Sequence, residues 1–188
     1  MREPGDVTEV GTIVEEKVAF DHPFFPVVSR VIETPDGVRR DEQLLWDRGG
    51  REFAIAVVTD PEGNYVLVEE PKYGQMRRMV SAPTGGVKKG ESPLTAAERE
   101  FLEETGYEAS NWRFAQLGPI ADFADKVDGG WHYICVADNA RKVKEPRNLE
   151  QKVLMLPVFE IEYVIRASKM PAMSMVALLL VLHNGHEE

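Results

Sequence analysis

Residues 85–107, which read GGVKKGESPLTAAEREFLEETGY, contain the sharpest structural signals in the chain. Ser92 can accept a hydrogen bond from a free amide at a helix start, and Pro93 suits the first helical position because it lacks an N–H. Gly106 suits the left-handed turn that ends a helix. These signals predict a helix over Pro93–Thr105.

Three glutamates crowd one side of this predicted helix. Glu100, Glu103 and Glu104 are spaced three and four residues apart, so they repel one another by a few tenths of a kcal/mol per pair. They also occupy the last turn, where the helix dipole disfavours anions. A divalent cation such as Mg²⁺ explains this arrangement, because it recruits converging carboxylates. Arg99 can hold one of them through paired hydrogen bonds. For the segment alone, a solvated acidic helix face is the alternative.

Composition narrows the class of protein. The chain has 188 residues, 43% of them apolar and 29% charged, as expected for one soluble domain with a small appendage. Its longest apolar run, residues 175–182, is shorter than the roughly 20 residues of a membrane span, so we expect no membrane partner. A net charge of −10 argues against nucleic-acid binding. Cys135, the single cysteine, is predicted to be a buried structural thiol, and a cytoplasmic location follows.

Strand signals precede and follow the helix, so the fold class is mixed α/β. Two strands, a TPDG turn and a return strand predict an N-terminal antiparallel β region over residues 1–50, ending at the DRGG break. Residues 51–188 form the second predicted domain. Within it, FAIAVVT and YVLVEEP flank a DPEGN turn and predict a hairpin. Further helices are predicted over residues 158–167 and 171–183, and we expect helices on both faces of the sheet.

The quoted stretch resembles the signature of the Nudix hydrolases. That signature reads Gly, five residues, Glu, seven residues, Arg-Glu, an apolar residue, any residue, Glu-Glu, any residue, Gly and an apolar residue. Phe101 and Tyr107 are aromatic where aliphatic residues are more usual. All seven invariant letters match, at Gly85, Glu91, Arg99, Glu100, Glu103, Glu104 and Gly106.

The resemblance implies an α/β/α sandwich with a mixed sheet. It also implies hydrolysis of a nucleoside diphosphate linked to another group, with Mg²⁺ or Mn²⁺ and a water nucleophile. On this sequence Glu100 and Glu104 would be metal ligands, and Glu103 a ligand or the partner of one. The carbonyl of Thr84 or Gly85 would be a further ligand.

The remaining signature residues have supporting roles by the same resemblance. Arg99 would orient the glutamates, and Glu91 would brace the loop or join the metal shell. Gly85 and Gly106 would be structural. Such a cluster suits the chemistry, because metal ions offset phosphoryl charge and activate water.

Over residues 30–182 the chain resembles the ADP-ribose and nucleotide-sugar pyrophosphatase group. Arg40 and Lys72 stand where that group carries phosphate-binding cations, and its N-terminal β region mediates dimerisation, so we expect a homodimer. Ser81 and Thr84 depart from the group's usual Glu and Ala. A later glutamate usually serves as base or ligand there, for which Glu150 is the first candidate and Glu145 the second.

Other candidates have structural alternatives. Trp46 could stack on a base, but core packing or a dimer contact is the alternative. Asp125, with Asp122 and Asp128, could approach the substrate, or belong to a solvated turn. His132 is expected to be a structural histidine. The basic run over residues 141–147 could meet phosphate or be an exposed loop.

Two further hypotheses concern function. The chain could be a Nudix hydrolase of another substrate, such as a dinucleoside polyphosphate or a nucleoside triphosphate. It could instead be a nucleotide-binding regulator that has lost catalysis, although the intact signature argues against this.

Overall fold

The computed structural model describes residues 7–8, 10–23, 26–46, 51–121, 127–148 and 150–184. None of the helices in these ranges is long and apolar enough to cross a bilayer. The strands and helices, in chain order, are β1 (Val7–Thr8), β2 (Gly11–Phe20), β3 (Val27–Glu33), β4 (Arg39–Trp46), β5 (Glu52–Val58), β6 (Tyr65–Lys72), a 3₁₀ turn (Tyr73–Gln75), β7 (Arg77–Ser81), β8 (Thr84–Gly86), α1 (Pro93–Thr105), β9 (Tyr107–Phe114), β10 (Ile120–Ala121), β11 (Val127–Asp128), β12 (Trp131–Lys142), β13 (Lys152–Leu156), α2 (Val158–Arg166) and α3 (Ala172–Asn184).

The chain divides into two compact units. The first combines residues 1–51 with residues 121–131, and the second combines residues 52–120 with residues 132–188. The division of function at residue 50, with a dimerisation arm over residues 1–50 and a catalytic domain over residues 51–188, stays a prediction.

The strands described in the first unit form a sheet in the order β1-β2-β3-β4-β11. Its strands pair antiparallel except for β4 and β11, which pair in parallel. The predicted TPDG turn joins β3 to β4, and the Gly37 N–H donates to the Thr34 carbonyl at 2.9 Å. The predicted N-terminal hairpin is therefore confirmed.

Side chains that alternate between the two faces of strand β5 belong to two different hydrophobic cores of the second unit. Ile55 and Val57 belong to a cluster that includes residues of α2 and α3, whereas Ala54 and Ala56 belong to a cluster with α1. Successive side chains of a strand point to opposite faces, so an apolar strand needs cover on both sides. Helices on both faces of the sheet, as predicted, supply that cover.

The predicted hairpin of β5 and β6 is wrong beyond its turn. The turn forms, and the Gly63 N–H donates to the Asp60 carbonyl at 3.0 Å. Thr59 and Tyr65 then make one antiparallel bridge, after which the strands diverge. In the described residues, β5 lies in the sheet β10-β12-β5-β8, with β9 on β12, and β6 lies in the sheet β13-β6-β7. Both strands are apolar on both faces, so neighbours distant in sequence compete with the local pairing.

Candidate active site

The helix α1 carries the glutamates and has the predicted ends. The Thr95 N–H donates to the Ser92 hydroxyl at 3.1 Å, which caps the first turn. Gly106 has a φ of 76°, and its N–H donates to the Leu102 carbonyl at 3.0 Å. The buried residues of the helix are Ala96, Ala97, Phe101 and Thr105.

Arg99 ties the helix to the preceding loop. Its Nε donates to Glu91 Oε1 at 2.8 Å and its Nη2 to Glu91 Oε2 at 2.9 Å, a bidentate pair. Nη2 also donates to the Gly86 carbonyl at 2.9 Å, and Nη1 contacts the Glu100 carboxylate. The hydrogen bonds from Arg99 hold the pKa of Glu91 at about 2. One guanidinium therefore fixes both the loop and a helix glutamate.

Gly85 lies directly beneath the Glu100 side chain. A Cβ added at Gly85 would stand 2.0 Å from Glu100 Cδ. Gly85, which pairs with Ala54 of β5, thus leaves the space beside β8 that the Glu100 carboxylate occupies. The position of Glu100 depends on this glycine.

Glu104 is held between β8 and other acidic groups. The Thr84 N–H donates to Glu104 Oε2 at 3.3 Å. Burial, together with the charges of Glu70 and Glu100, raises the pKa of the Glu104 carboxyl to about 8. Without a cation beside it, this carboxyl is therefore largely protonated near neutral pH.

A cavity of about 360 Å³ lies beside this face of α1. Its described lining combines three carboxylates from the helix with side chains from the loop after β12. The lining residues are Glu100, Glu103, Glu104, Arg147, Asn148 and Gln151.

The family of the chain follows from this site and from comparison with known proteins. Residues 50–169, which include α1 and its flanking loops, match the NUDIX domain. The chain belongs to the Nudix family. It is accordingly an enzyme of the Nudix pyrophosphohydrolase type.

Two curated relatives and one solved structure are similar to this Nudix chain. An ADP-ribose pyrophosphatase of Bacillus subtilis is 28% identical over 144 residues, which are 76% of this chain and 74% of that protein. A CMP-5'-(N-acetyl-N-hydroxy-3-aminopropyl)phosphonate hydrolase of Streptomyces rubellomurinus is 28% identical over 174 residues, 90% of this chain and 81% of the relative. The crystal structure of an ADP compounds hydrolase superimposes with a TM-score of 0.80 at 22% identity, covering 95% of both chains, and shows the fold.

Nudix enzymes generally use divalent metal ions, and the donor atoms of this site are of the type that such ions prefer. Mg²⁺ and Mn²⁺ favour carboxylate and carbonyl oxygens, which Glu100, Glu103, Glu104 and the Thr84 carbonyl can supply. Burial and the charges of Glu70 and Glu100 raise the pKa of Glu104, and a cation bound beside this carboxyl would lower that pKa again. Within the described ranges, however, no three Asp, Glu, His or Cys side chains already form a group that could hold a metal.

Glu70 is a charged neighbour of Glu104 that sequence reasoning missed. It lies on β6, outside the Nudix signature, yet its charge acts on Glu104. Burial alone would raise the pKa of its carboxyl, but hydrogen bonds from Lys72, Gln151 and Ser81 outweigh burial and lower the pKa. Ser81 Oγ donates to Glu70 Oε1 at 3.1 Å, and Gln151 Nε2 donates to Oε2 at 3.0 Å. The signal in the sequence was Ser81, which stands where the related group usually has Glu. Its small side chain leaves room for the Glu70 carboxylate from the adjacent strand.

The late-loop glutamates make other contacts. Glu150 Oε2 accepts from the Tyr73 hydroxyl at 3.2 Å, and Glu145 Oε1 pairs with Lys142 Nζ at 2.8 Å. Neither residue is among the described lining of the cavity. The role of Glu150 as base or ligand stays a prediction, and the glutamates that line the cavity in the described residues are Glu100, Glu103 and Glu104.

The predicted substrate-binding residues are dispersed along the chain. Lys72 ends β6, and its ammonium pairs with the Glu70 carboxylate. Arg40 belongs to β4 of the first unit, where it lies opposite Ile32. Trp46 ends that strand, but its side chain, like all of Asp125, lies outside the described residues.

Two structural predictions are confirmed. Cys135 is fully buried, and burial raises the pKa of its thiol to about 12, so it is not a ready nucleophile. His132 is buried and stacks on Phe53 with ring centroids 5.0 Å apart.

Replacing Gly85 by Ala is expected to displace Glu100 and to lower kcat at least about tenfold, because a small misplacement of a reacting group can cost a hundredfold. Steady-state hydrolysis of the best available diphosphate substrate measures this effect. Gly86→Ala is the matched control, since a Cβ there would meet nothing within 4 Å. Equal activity of the two variants would contradict the role of the close approach.

Proposed function

We propose that the chain hydrolyses the pyrophosphate bond of a nucleoside diphosphate linked to another group, with ADP-ribose or a nucleotide sugar as substrate. The observation that carries the proposal is the convergence of Glu100, Glu103 and Glu104 on one cavity, with Arg99 fixing the first of them. The Bacillus subtilis relative, named an ADP-ribose pyrophosphatase, supports the substrate class.

Mg²⁺ or Mn²⁺ is part of the proposal. Glu100 and Glu104, with Glu103 and the Thr84 carbonyl, would hold it. When bound, the ion supplies charge neutralisation at the phosphoryl oxygens and a water of lowered pKa.

The protein's own groups prepare these ligands. Arg99 orients Glu100 while its bidentate pair with Glu91 keeps the loop in place. The Thr84 N–H directs one oxygen of Glu104. Glu103 lines the cavity beside Glu100 and Glu104, and it would accept a proton from the attacking water when its own carboxylate is not bound to the ion. Glu150 is the alternative acceptor from the sequence.

Substrate recognition completes the proposal. Arg40 and Lys72 would bind phosphate, while Trp46 and Asp125 would contact the nucleoside or its substituent. Lys72 keeps a positive charge but lacks the planar fork of arginine, so its contact would be less directional.

A substrate panel tests the proposed function. ADP-ribose, nucleotide sugars, dinucleoside polyphosphates and nucleoside triphosphates are incubated with Mg²⁺ or Mn²⁺, and the products are identified. We expect ADP-ribose or a nucleotide sugar to have the highest kcat/KM, with cleavage between the two phosphorus atoms. The Streptomyces relative motivates adding a CMP-linked phosphonate. Tight binding without metal-dependent hydrolysis would instead favour a regulator.

A homodimer through the first unit is also proposed. Its strand β2 leaves Val14, Val18 and Phe20 exposed at 37%, 39% and 61% of their surface. A second copy that covers these side chains would remove apolar area from water. We expect Phe20→Glu to shift the species measured by light scattering from dimer to monomer, whereas Glu15→Gln on the same strand should not. A monomeric native protein would contradict the proposal.

A cytoplasmic location and the absence of a nucleic-acid partner complete the functional proposal. The single cysteine is buried and free, which suits a reducing compartment. The net charge of −10 disfavours binding to a polyanion.

A further inference from the structure

The loop after β12 is fastened to the C-terminal end of α1 by its backbone. The Val143 and Lys144 N–H groups donate to the Gly106 carbonyl at 2.9 and 3.1 Å, and the Arg147 N–H donates to the Glu103 carbonyl at 2.8 Å. Carbonyls at a helix end lack partners within the helix, so these bonds satisfy groups that would otherwise need water. The backbone of Arg147 is therefore positioned by α1 itself.

From this position the Arg147 side chain reaches the cavity. Its Nη1 donates to Glu103 Oε2 at 3.0 Å. The Arg147 side chain is 78% exposed, whereas that of Glu103 is 27% exposed. An exposed ion pair of this kind is held weakly, because water competes for both partners. The guanidinium can exchange Glu103 for another anion without a large cost.

Charge in the cavity makes such an exchange useful. Among the described lining residues, Arg147 is the one basic side chain, beside the three carboxylates of Glu100, Glu103 and Glu104. A diphosphate is itself an anion and needs cations on the side from which it enters. Arginine presents a planar fork that binds phosphate oxygens bidentately.

The late loop thus brings a cation to the cavity where the sequence predicted a carboxylate. Glu145 pairs with Lys142, and Glu150 accepts from Tyr73. Of the charged residues described between Lys142 and Glu150, Arg147 is the one on the cavity wall.

We propose that Arg147 is a substrate-binding residue that contacts a phosphate of the diphosphate substrate, and that Glu103 retains the Arg147 guanidinium at the cavity until a divalent cation engages the Glu103 carboxylate. This inference rests on the proposed function. It makes Arg147 a competitor of the metal for Glu103 and a partner of the substrate. Its removal should therefore have opposite effects on the two affinities.

The test compares Arg147→Gln with Lys144→Gln in the full chain. Both changes remove one positive charge from the same basic run. Lys144 is bonded to the helix end through its backbone N–H, and it is not among the described residues that line the cavity. The first measurement is Mn²⁺ affinity without substrate, followed by the paramagnetic resonance of free Mn²⁺. We expect Arg147→Gln to bind Mn²⁺ about three- to tenfold more tightly, because a charge-assisted competitor is lost. Lys144→Gln should stay within about twofold, since an exposed charge without that contact is screened.

The second measurement is the affinity for α,β-methylene-ADP, a non-hydrolysable diphosphate, at saturating Mn²⁺. Arg147→Gln should weaken binding about tenfold, as expected for a lost charge-assisted bidentate contact. Arg147→Lys should fall between, because it keeps the charge without the fork. In turnover, KM should rise more than kcat falls.

The outcomes separate this inference from a structural role and from the proposed function. If both affinities fall together, or if neither changes, the inference is overturned. If they change in opposite directions while no compound of the substrate panel is hydrolysed, Arg147 keeps its role in binding and the proposed hydrolysis fails.

Discussion

Replacing Glu104 by Gln should lower kcat for diphosphate hydrolysis by about a thousandfold or more, while the protein stays folded. The amide oxygen of Gln can still accept from the Thr84 N–H, so the local geometry is kept. Because the pKa of Glu104 is raised to about 8, its carboxyl is largely protonated near neutral pH, so a neutral amide changes the charge beside Glu70 and Glu100 only a little. We therefore expect the free energy of unfolding to change by less than about 1 kcal/mol. Activity assays and denaturant titration measure the two quantities.

Glu98→Gln is the matched control for that experiment. Glu98 is exposed on the same helix and is not among the described residues that line the cavity. Its replacement should leave kcat and Mn²⁺ affinity within about twofold, since isolated surface substitutions have small effects. Full activity of Glu104→Gln would refute the role assigned to the cluster.

Gly106→Ala should destabilise the protein by at least about 3 kcal/mol. Two costs add at this position. The φ of 76° is unfavourable for an L side chain, and a Cβ would stand 2.2 Å from the Lys144 carbonyl oxygen. Neither atom can move freely, because the loop is bonded to α1 through the Gly106 carbonyl. Denaturant titration can follow the fluorescence of Trp112, which packs edge-on against Phe101 of α1.

Gly90→Ala separates the two costs. Gly90 has a similar φ of 82°, but a Cβ there would meet nothing within 4 Å. Its substitution should cost only the backbone strain, about 1 kcal/mol. If the two variants lose equal stability, the close approach of the loop to Gly106 contributes nothing.

Local signals in the sequence were sufficient for α1 and for the glutamate face. Ser92, Pro93 and Gly106 each act within one turn of the helix, so the bounds Pro93–Thr105 could be predicted without tertiary information. The spacing of the acidic residues depends on helical geometry alone. The same holds for the turn between β3 and β4, which needs only its own four residues.

Pairing between distant segments could not be predicted in this way. The apolar strands β5 and β6 fit a hairpin locally, but each also needs neighbours on both sides, and those come from β8, β12, β7 and β13. The surroundings of Glu70 could not be predicted for the same reason. The pairing of β6 with β7 brings Glu70 within hydrogen-bond distance of Ser81.

By itself, the sequence determined which helix carries the carboxylates and which family the chain resembles, since capping and side-chain spacing are properties of consecutive residues. Only the tertiary structure decided which charged side chains lie beside these carboxylates. Arg147 lies 44 residues after Glu103 and reaches it because the loop backbone satisfies the free carbonyls of the helix end. Glu150, which the sequence favoured, is turned to Tyr73 by contacts that no local pattern encodes.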